Sequence, residues 1–330
     1  MVKVIKNKRY VIMFNMETGK EILSGIDGHE DPFILDMPSL LDIGIMGKCL
    51  NNCKICYQAT NNYDSNMSLE NFKMVVDQTK NTSMQYALGG AGDPNNHENF
   101  KEILEYCRKN NVIPNYTLSG NGLTDEQVEI SKLCGAVAVS DYDQSFTYQA
   151  LNKFLNADIK TNIHFVLSTE TFDRAIDVLD GRDVWNGQFD VSKLNAVIFL
   201  LFKPQGKAKN RLDLIPSNDQ IQQFIKKIRE PKVSFKLGMD SCLVNKLATL
   251  DNLTKNESIF LDTCEASRAS MYITPDLKAV PCSFSDYGTN GIPITKGNPI
   301  SEIWANSEPF KRCRGLLNEC KTKCPYMKEK

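Results

Sequence analysis

The chain has 330 residues, enough to bury one large core or a barrel with a small appendage. Its 39 Lys and Arg face 40 Asp and Glu, a net charge of -1, so no global field draws the protein to nucleic acid or to an anionic membrane surface, and neither is expected as a partner. The longest apolar run, Ala196 to Phe202, is far short of the ~20 residues a membrane helix needs.

In chain order, Tyr10–Phe14 and Glu21–Leu23, split by a turn around Thr18-Gly19, read as a β-hairpin within an N-terminal segment, residues 1–35. From residue 40 to about 230, short apolar β-branched runs alternate with amphipathic stretches, which predicts βα units around a parallel sheet, a barrel over residues 36–232. Six strands are expected: Leu40–Met46, Met84–Leu88, Pro114–Leu118, Ala136–Ser140, Thr161–Leu167 and Asn195–Phe202. Phe100, Ile103, Leu104 and Cys107 recur at i, i+3, i+4, i+7, as do Ile221, Phe224, Ile225 and Ile228, so each set lines one helix face. Thr124 with Gln127, and Ser217 with Gln220, read as capping boxes, and Gly135 and Gly181 stand where helices should stop.

Eleven cysteines are spread unevenly, and three of them, Cys49, Cys53 and Cys56, share one short run that begins three residues after the first strand. Three thiolates can hold three corners of a cubic iron–sulfur cluster and leave the fourth iron open for chemistry. A structural zinc is the alternative, but it needs a fourth ligand, and the nearest Cys or His upstream is His29, not at a knuckle spacing. A disulfide is the other; the opening Met1-Val-Lys-Val-Ile-Lys has no apolar stretch of signal-peptide length, which predicts a reducing, cytoplasmic setting.

Cys49-x3-Cys53-x2-Cys56, with Ile55 before the last Cys and Tyr57 after it, resembles the signature of the radical S-adenosylmethionine (SAM) enzymes. The resemblance implies an α/β fold with a partial (β/α)6 TIM-like barrel, a [4Fe-4S] cluster on the three cysteines and SAM chelated to its open iron. An electron, from a donor such as flavodoxin or ferredoxin, would then cleave SAM to a 5′-deoxyadenosyl radical, chemistry that the protein mainly orients and shields. Active sites of βα folds gather at the C-terminal strand ends, where the second strand runs into Gly89-Gly90-Ala91-Gly92-Asp93-Pro94. Such glycines let backbone approach a ligand and expose amide donors. The segment falls where the family carries a Gly-Gly-Glu-Pro-like stretch that holds the methionyl amine, with Ala91-Gly92-Asp93 in place of a single acid. Ser119-Gly120-Asn121-Gly122 resembles the family's Thr-Asn-Gly-like turn. With Tyr57, Ser140, Asn162 and Lys203, these complete the expected SAM contacts, although Asn162 and His164 can equally satisfy neighbouring backbone. Lys203 is the residue expected to meet a carboxylate, while Lys207, Lys209 and Arg211 read as a solvated loop.

Six cysteines follow residue 240, whereas Cys107 and Cys134 read as small core residues. Cys242, Cys264, Cys282, Cys313, Cys320 and Cys324 suffice for one four-thiolate cluster. Tyr272 to Cys282 and Cys320-x3-Cys324-Pro325 resemble the SPASM/Twitch extension of radical SAM enzymes, with Leu277 where a Gly is usual and without the usual Cys-x2-Cys. Residues 233–330 are thus expected to hold one auxiliary [4Fe-4S] cluster on Cys242, Cys264, Cys282 and either Cys320 or Cys324, with a zinc knuckle as the alternative. The space before Cys49 is expected to be too short for the winged-helix leader-binding domain that many peptide-modifying members of the family carry. The activity implied is an oxidoreductase that abstracts hydrogen from a substrate, foremost a ribosomal peptide in an oxidative maturation. The alternatives are a dehydrogenase of a small alcohol or carbohydrate and a non-catalytic iron–sulfur electron carrier.

Overall fold

Strands β1 (Val2–Lys6), β2 (Tyr10–Asn15) and β3 (Glu21–Gly25) form an antiparallel sheet in that order. The expected hairpin is β2–β3; β1, which the sequence pattern does not announce, adds to β2 because Asn7 turns the chain, its Oδ1 accepting from the N–H of Arg9 and of Tyr10 at 2.8 Å. Alternation puts Tyr10, Ile12 and Phe14 on one face, buried against Leu35, Met84 and Ile113. This computed structural model describes all residues except 50, 52, 59–62, 250–253, 255–263, 320–323 and 325–330.

All six expected barrel strands are present: β4 (Leu40–Met46), β5 (Gln85–Gly90), β6 (Ile113–Leu118), β7 (Val137–Ser140), β8 (Thr161–Leu167) and β9 (Ala196–Leu201). They lie parallel in sequence order, as crossover helices require. Those helices are α1 (Leu69–Thr79), α2 (Phe100–Lys109), α3 (Asp125–Ser131), α4 (Ser145–Asn156) and α5 (Phe172–Leu179), with α6 (Asn218–Arg229) after β9. Leu41, Ile43 and Ile45 of β4 share a core with Phe72, Val75 and Val76 of α1, so the alternate residues, Asp42 among them, face the other side of the sheet. Both capping boxes form, and Gly181 closes α5 at φ +75°.

The sheet does not stop at residue 232. Strand β10 (Lys236–Met239) adds parallel to β9, and β11 (Ser270–Ile273) adds parallel to β4, followed by antiparallel β12 (Lys278–Val280) and β13 (Ile292–Pro293). Helix α7 (Ser241–Ala248) follows β10, and α8 (Tyr287–Asn290), α9 (Ile300–Asn306) and α10 (Glu308–Glu319) complete the tail. The tail folds back onto the barrel, where buried Trp304 donates to Leu35 O at 3.0 Å and Ile300 N–H to Gln78 Oε1 at 2.8 Å. The β11–β12 turn holds Leu277 at φ +58°, the left-handed conformation that explains why glycine is usual there. No helix among the described residues is long and apolar enough to cross a membrane.

Candidate functional site

The first cysteine loop leaves β4 at the C-terminal rim of the sheet. Cys49 is exposed, Cys53 and Cys56 half-buried, and the N–H of Cys56 donates to Cys53 O at 3.3 Å. The N–H of Asn51 donates to Cys49 Sγ at 3.3 Å, a contact that favours a thiolate. Burial nonetheless pushes the Cys49 thiol up, and the charges of Asp93, Cys56 and Cys53 push it further. A thiol that resists ionising beside two others is relieved by a shared cationic centre, which is how metal binding couples to proton release.

A polar clasp fixes this loop. Asn51 Nδ2 donates to Ser119 Oγ at 2.9 Å, and Asn121 Nδ2 returns a bond to Asn51 Oδ1 at 3.0 Å. Ser119 in turn gives its N–H and hydroxyl to Asp93, at 2.9 and 2.5 Å. Asp93 and Ser119, expected at SAM, therefore brace the cysteine loop. Gly90 and Gly92 adopt φ +115° and +144°, and a Cβ on them would lie 2.4 Å from Met46 O and 2.5 Å from Lys48 O. Side chains are excluded there because the segment packs against the backbone that carries Cys49. Gly89 differs: a Cβ would meet nothing within 4 Å, so it borders open space.

The other expected contacts divide. The Tyr57 ring packs tilted against Phe284 with centroids 4.6 Å apart, and Gln58 donates to Tyr287 Oη at 3.1 Å, so the first loop meets the tail. Ser140 ends β7 in register with His164, and the adjacent buried Asp141 is held by Arg174 Nη1 and Trp185 Nε1, each at 3.1 Å. Asn162 lies toward the opposite, N-terminal strand ends, where its Oδ1 accepts from Asn195 at 2.6 Å. There, with Gln85, Asn115 and His164, it lines a cavity of about 320 Å³ roofed by the β2–β3 turn. Burial lowers His164 to about 4, so it is neutral. Lys203, expected at SAM, is paired with the carboxylate of Asp240.

The tail cysteines converge from separate segments. Cys242 starts α7, Cys264 precedes β11, Cys282 follows β12 and Cys324 follows α10. Cys242 is hydrogen-bonded to Cys324, which with burial holds it well above the ordinary thiol value. Burial raises Cys264 to about 12, and Cys282 is raised by burial and then by Cys242 and Cys264. Cys313 is buried with its thiol toward Ala266 O at 3.8 Å. Cys320 lies outside the described residues. Among the described residues no three Cys, His, Asp or Glu side chains already stand at ligating distance of one point; the sulfurs approach without closing a coordination sphere. Four soft donors in one half-buried place nevertheless suit an iron–sulfur cluster or a tetrathiolate metal.

Asp240 and Gly206 escape a reading of the sequence. Asp240 caps α7, accepting the N–H of Leu243 at 2.9 Å, and its position two residues before Cys242 is the one local signal. Gly206, at φ +57°, leaves room for the carbonyls of Cys56 and Tyr57, each 2.4 Å from where its Cβ would be.

No family model matches the sequence, and no curated protein matches it. Solved structures do match in fold. SuiB of Streptococcus suis superimposes with a TM-score of 0.69 at 14% identity, over 98% of this chain and 94% of that one. SuiB bound to its precursor peptide SuiA gives 0.67 at 15% identity, over 98% and 95%. Native anSMEcpe with bound AdoMet and the Cp18Cys peptide gives 0.57 at 13% identity, over 83% and 82%. The chain thus shares the fold of these solved structures, a large parallel sheet in a partial barrel with a cysteine-rich C-terminal part.

Proposed function

We propose that this protein is a radical SAM oxidoreductase that modifies a peptide, and that its tail holds one auxiliary [4Fe-4S] cluster. The observation that carries the reading is the placement of Cys49, Cys53 and Cys56 on one loop at the C-terminal rim, next to the open backbone of Gly89. Bound there, a cluster with an open iron would supply the electron that cleaves SAM and so the radical chemistry toward substrate. The chain's own work is positional. Asn51, Ser119, Asn121 and Asp93 hold the cysteine loop, and the tail packs beside it through Tyr57 and Phe284. Gly89, Gly90, Gly92, Tyr57 and Ser140 are the proposed surroundings of SAM. A flavodoxin or ferredoxin is the proposed donor.

A peptide is favoured over a small alcohol or carbohydrate because two of the structures that share the fold, SuiB with SuiA and anSMEcpe with Cp18Cys, hold peptides. The test is anaerobic: reduced, reconstituted protein with SAM should release 5′-deoxyadenosine, and Ala at Cys49, Cys53 and Cys56 together should abolish it. Cleavage at the wild-type rate by that triple variant would overturn the assignment of these cysteines, and absence of 5′-deoxyadenosine from the wild type would leave the electron-carrier reading.

A further inference from the structure

Among the described residues, Lys203 is the only lysine, arginine, aspartate or glutamate whose whole residue is buried, at 8% exposure. Burying an ion costs several kcal/mol even when it is paired, and an apolar pair of similar volume often serves stability as well. A buried lysine therefore calls for a reason other than stability. Its surroundings supply one. The ammonium is paired with Asp240 and lies 4.4 Å from the centre of the Phe284 ring. Asp240 does three things at once: it accepts from Lys203, from the N–H of Leu201 at 3.1 Å, and from the N–H of Leu243 at 2.9 Å. It thereby ties the end of β9 to the first turn of α7, the turn that carries Cys242. Phe284 stands two residues after Cys282. Lys203 is thus anchored to two of the tail segments that bring cysteines together, and Cys242 and Cys282 are the thiols that act on it. Burial alone would lower its pKa, but Asp240 and these thiols overcome that and keep it charged.

We propose that Lys203 and Asp240 are positioning residues that set the reduction potential of the auxiliary cluster, Lys203 raising it and Asp240 limiting the rise. A cluster held by four thiolates is anionic, and reduction adds one more negative charge. A fixed cation nearby favours the reduced form and a fixed anion the oxidised form, and both act strongly where water is excluded. The couple transfers one electron, supplied by the substrate in turnover or by a low-potential reductant in a titration. No bond of the protein forms or breaks. The inference rests on the auxiliary-cluster reading above.

The test uses the full chain with Cys49, Cys53 and Cys56 changed to Ala, reconstituted with iron and sulfide, so that only the tail cluster contributes. A dye-mediated potentiometric titration is followed by electron paramagnetic resonance. At the parent's midpoint, Lys203→Met should lower the reduced-to-oxidised ratio tenfold or more, a shift of 59 mV for a one-electron couple. Asp240→Asn, which keeps a helix cap, should shift the ratio the other way, and Lys203→Arg should stay within about threefold of the parent. Should the Met variant fail to hold iron, the Asp240→Asn shift decides alone. Equal midpoints in all variants, or shifts of the Met and Asn variants in the same direction, would overturn the proposal while leaving the auxiliary cluster standing. A parent that binds no iron would overturn both.

Discussion

Cys49, Cys53 and Cys56 come from one loop, one of them exposed and two half-buried, whereas Cys242, Cys264, Cys282 and Cys324 arrive from four separate stretches of the chain. The first set is held by a polar clasp among turn residues, the second by the β10–α7 connection, the β11–β12 hairpin and the end of α10. The contrast teaches what each site asks of the fold. A loop can be left uncrosslinked at little cost, because the barrel beneath it has its own core. Four distant segments, two of them bringing thiols, Cys264 and Cys282, that burial keeps from ionising, have far more to gain from a metal centre that joins them.

The strongest way to break the contrast is to remove iron from one site at a time. Cys282→Ala should lose about four irons per chain and on the order of several kcal/mol of stability, read from metal content and denaturant unfolding. Cys53→Ala should lose about the same iron with a stability change within roughly 1 kcal/mol. Cys313→Ala should keep its full iron content, since that thiol is turned toward Ala266 O. Equal stability losses at Cys53 and Cys282 would erase the distinction between the two sites.

A second test lies in the seam between them. Asp42 faces inward from β4, is hydrogen-bonded to Ser283 beside Cys282, and acts on Tyr57 beside Cys56. Burial raises its carboxyl to about 7 from an ordinary 3.8. The folded protein therefore holds a proton that the unfolded chain has released. That contribution is complete below the unfolded value and is lost as pH rises through the folded one. Wild type should lose on the order of 3–4 kcal/mol relative to Asp42→Asn as pH rises from about 4 to about 7. Stability curves of the two proteins that run parallel across that window would show that Asp42 is ionised in the folded state.

What the sequence makes legible follows from how local each feature is. The six barrel strands, both capping boxes and the hairpin turn are written in residues a few positions apart, and all are found. The first cysteine loop is legible for the same reason. Strand β10 is not, because Lys236–Met239 is a short edge segment without clear alternation, and its identity depends on β9 beside it. Nor is the joining of β11 to β4, a pairing across more than half the chain. Lys203 is legible as a residue that seeks a carboxylate; that the carboxylate is Asp240 depends on β9 and β10 being neighbours. Leu277 shows the limit of a pattern, since the turn keeps the left-handed geometry that glycine favours while the side chain packs on the core.

A glycine substitution separates the sites most sharply. Gly206 follows β9 in a left-handed conformation, and the N–H of its neighbour Lys207 donates to Cys56 O at 3.0 Å. The loop after β9 thereby pins the last cysteine of the first site, and it can do so only while position 206 lacks a side chain. In Gly206→Ala the methyl group meets two backbone oxygens, which cannot yield without moving Cys56 and Tyr57. Left-handed strain alone costs about 1–2 kcal/mol, so a loss of about 2 kcal/mol is expected in unfolding measurements. Iron should fall to about the four of the tail cluster, because the contact holds Cys56 and Tyr57 of the first loop rather than a tail cysteine. Loss of all iron would mean that the loop and the tail assemble as one unit through Tyr57 and Phe284. Full iron with native stability would mean that Cys56 is held by the clasp at Asn51 alone.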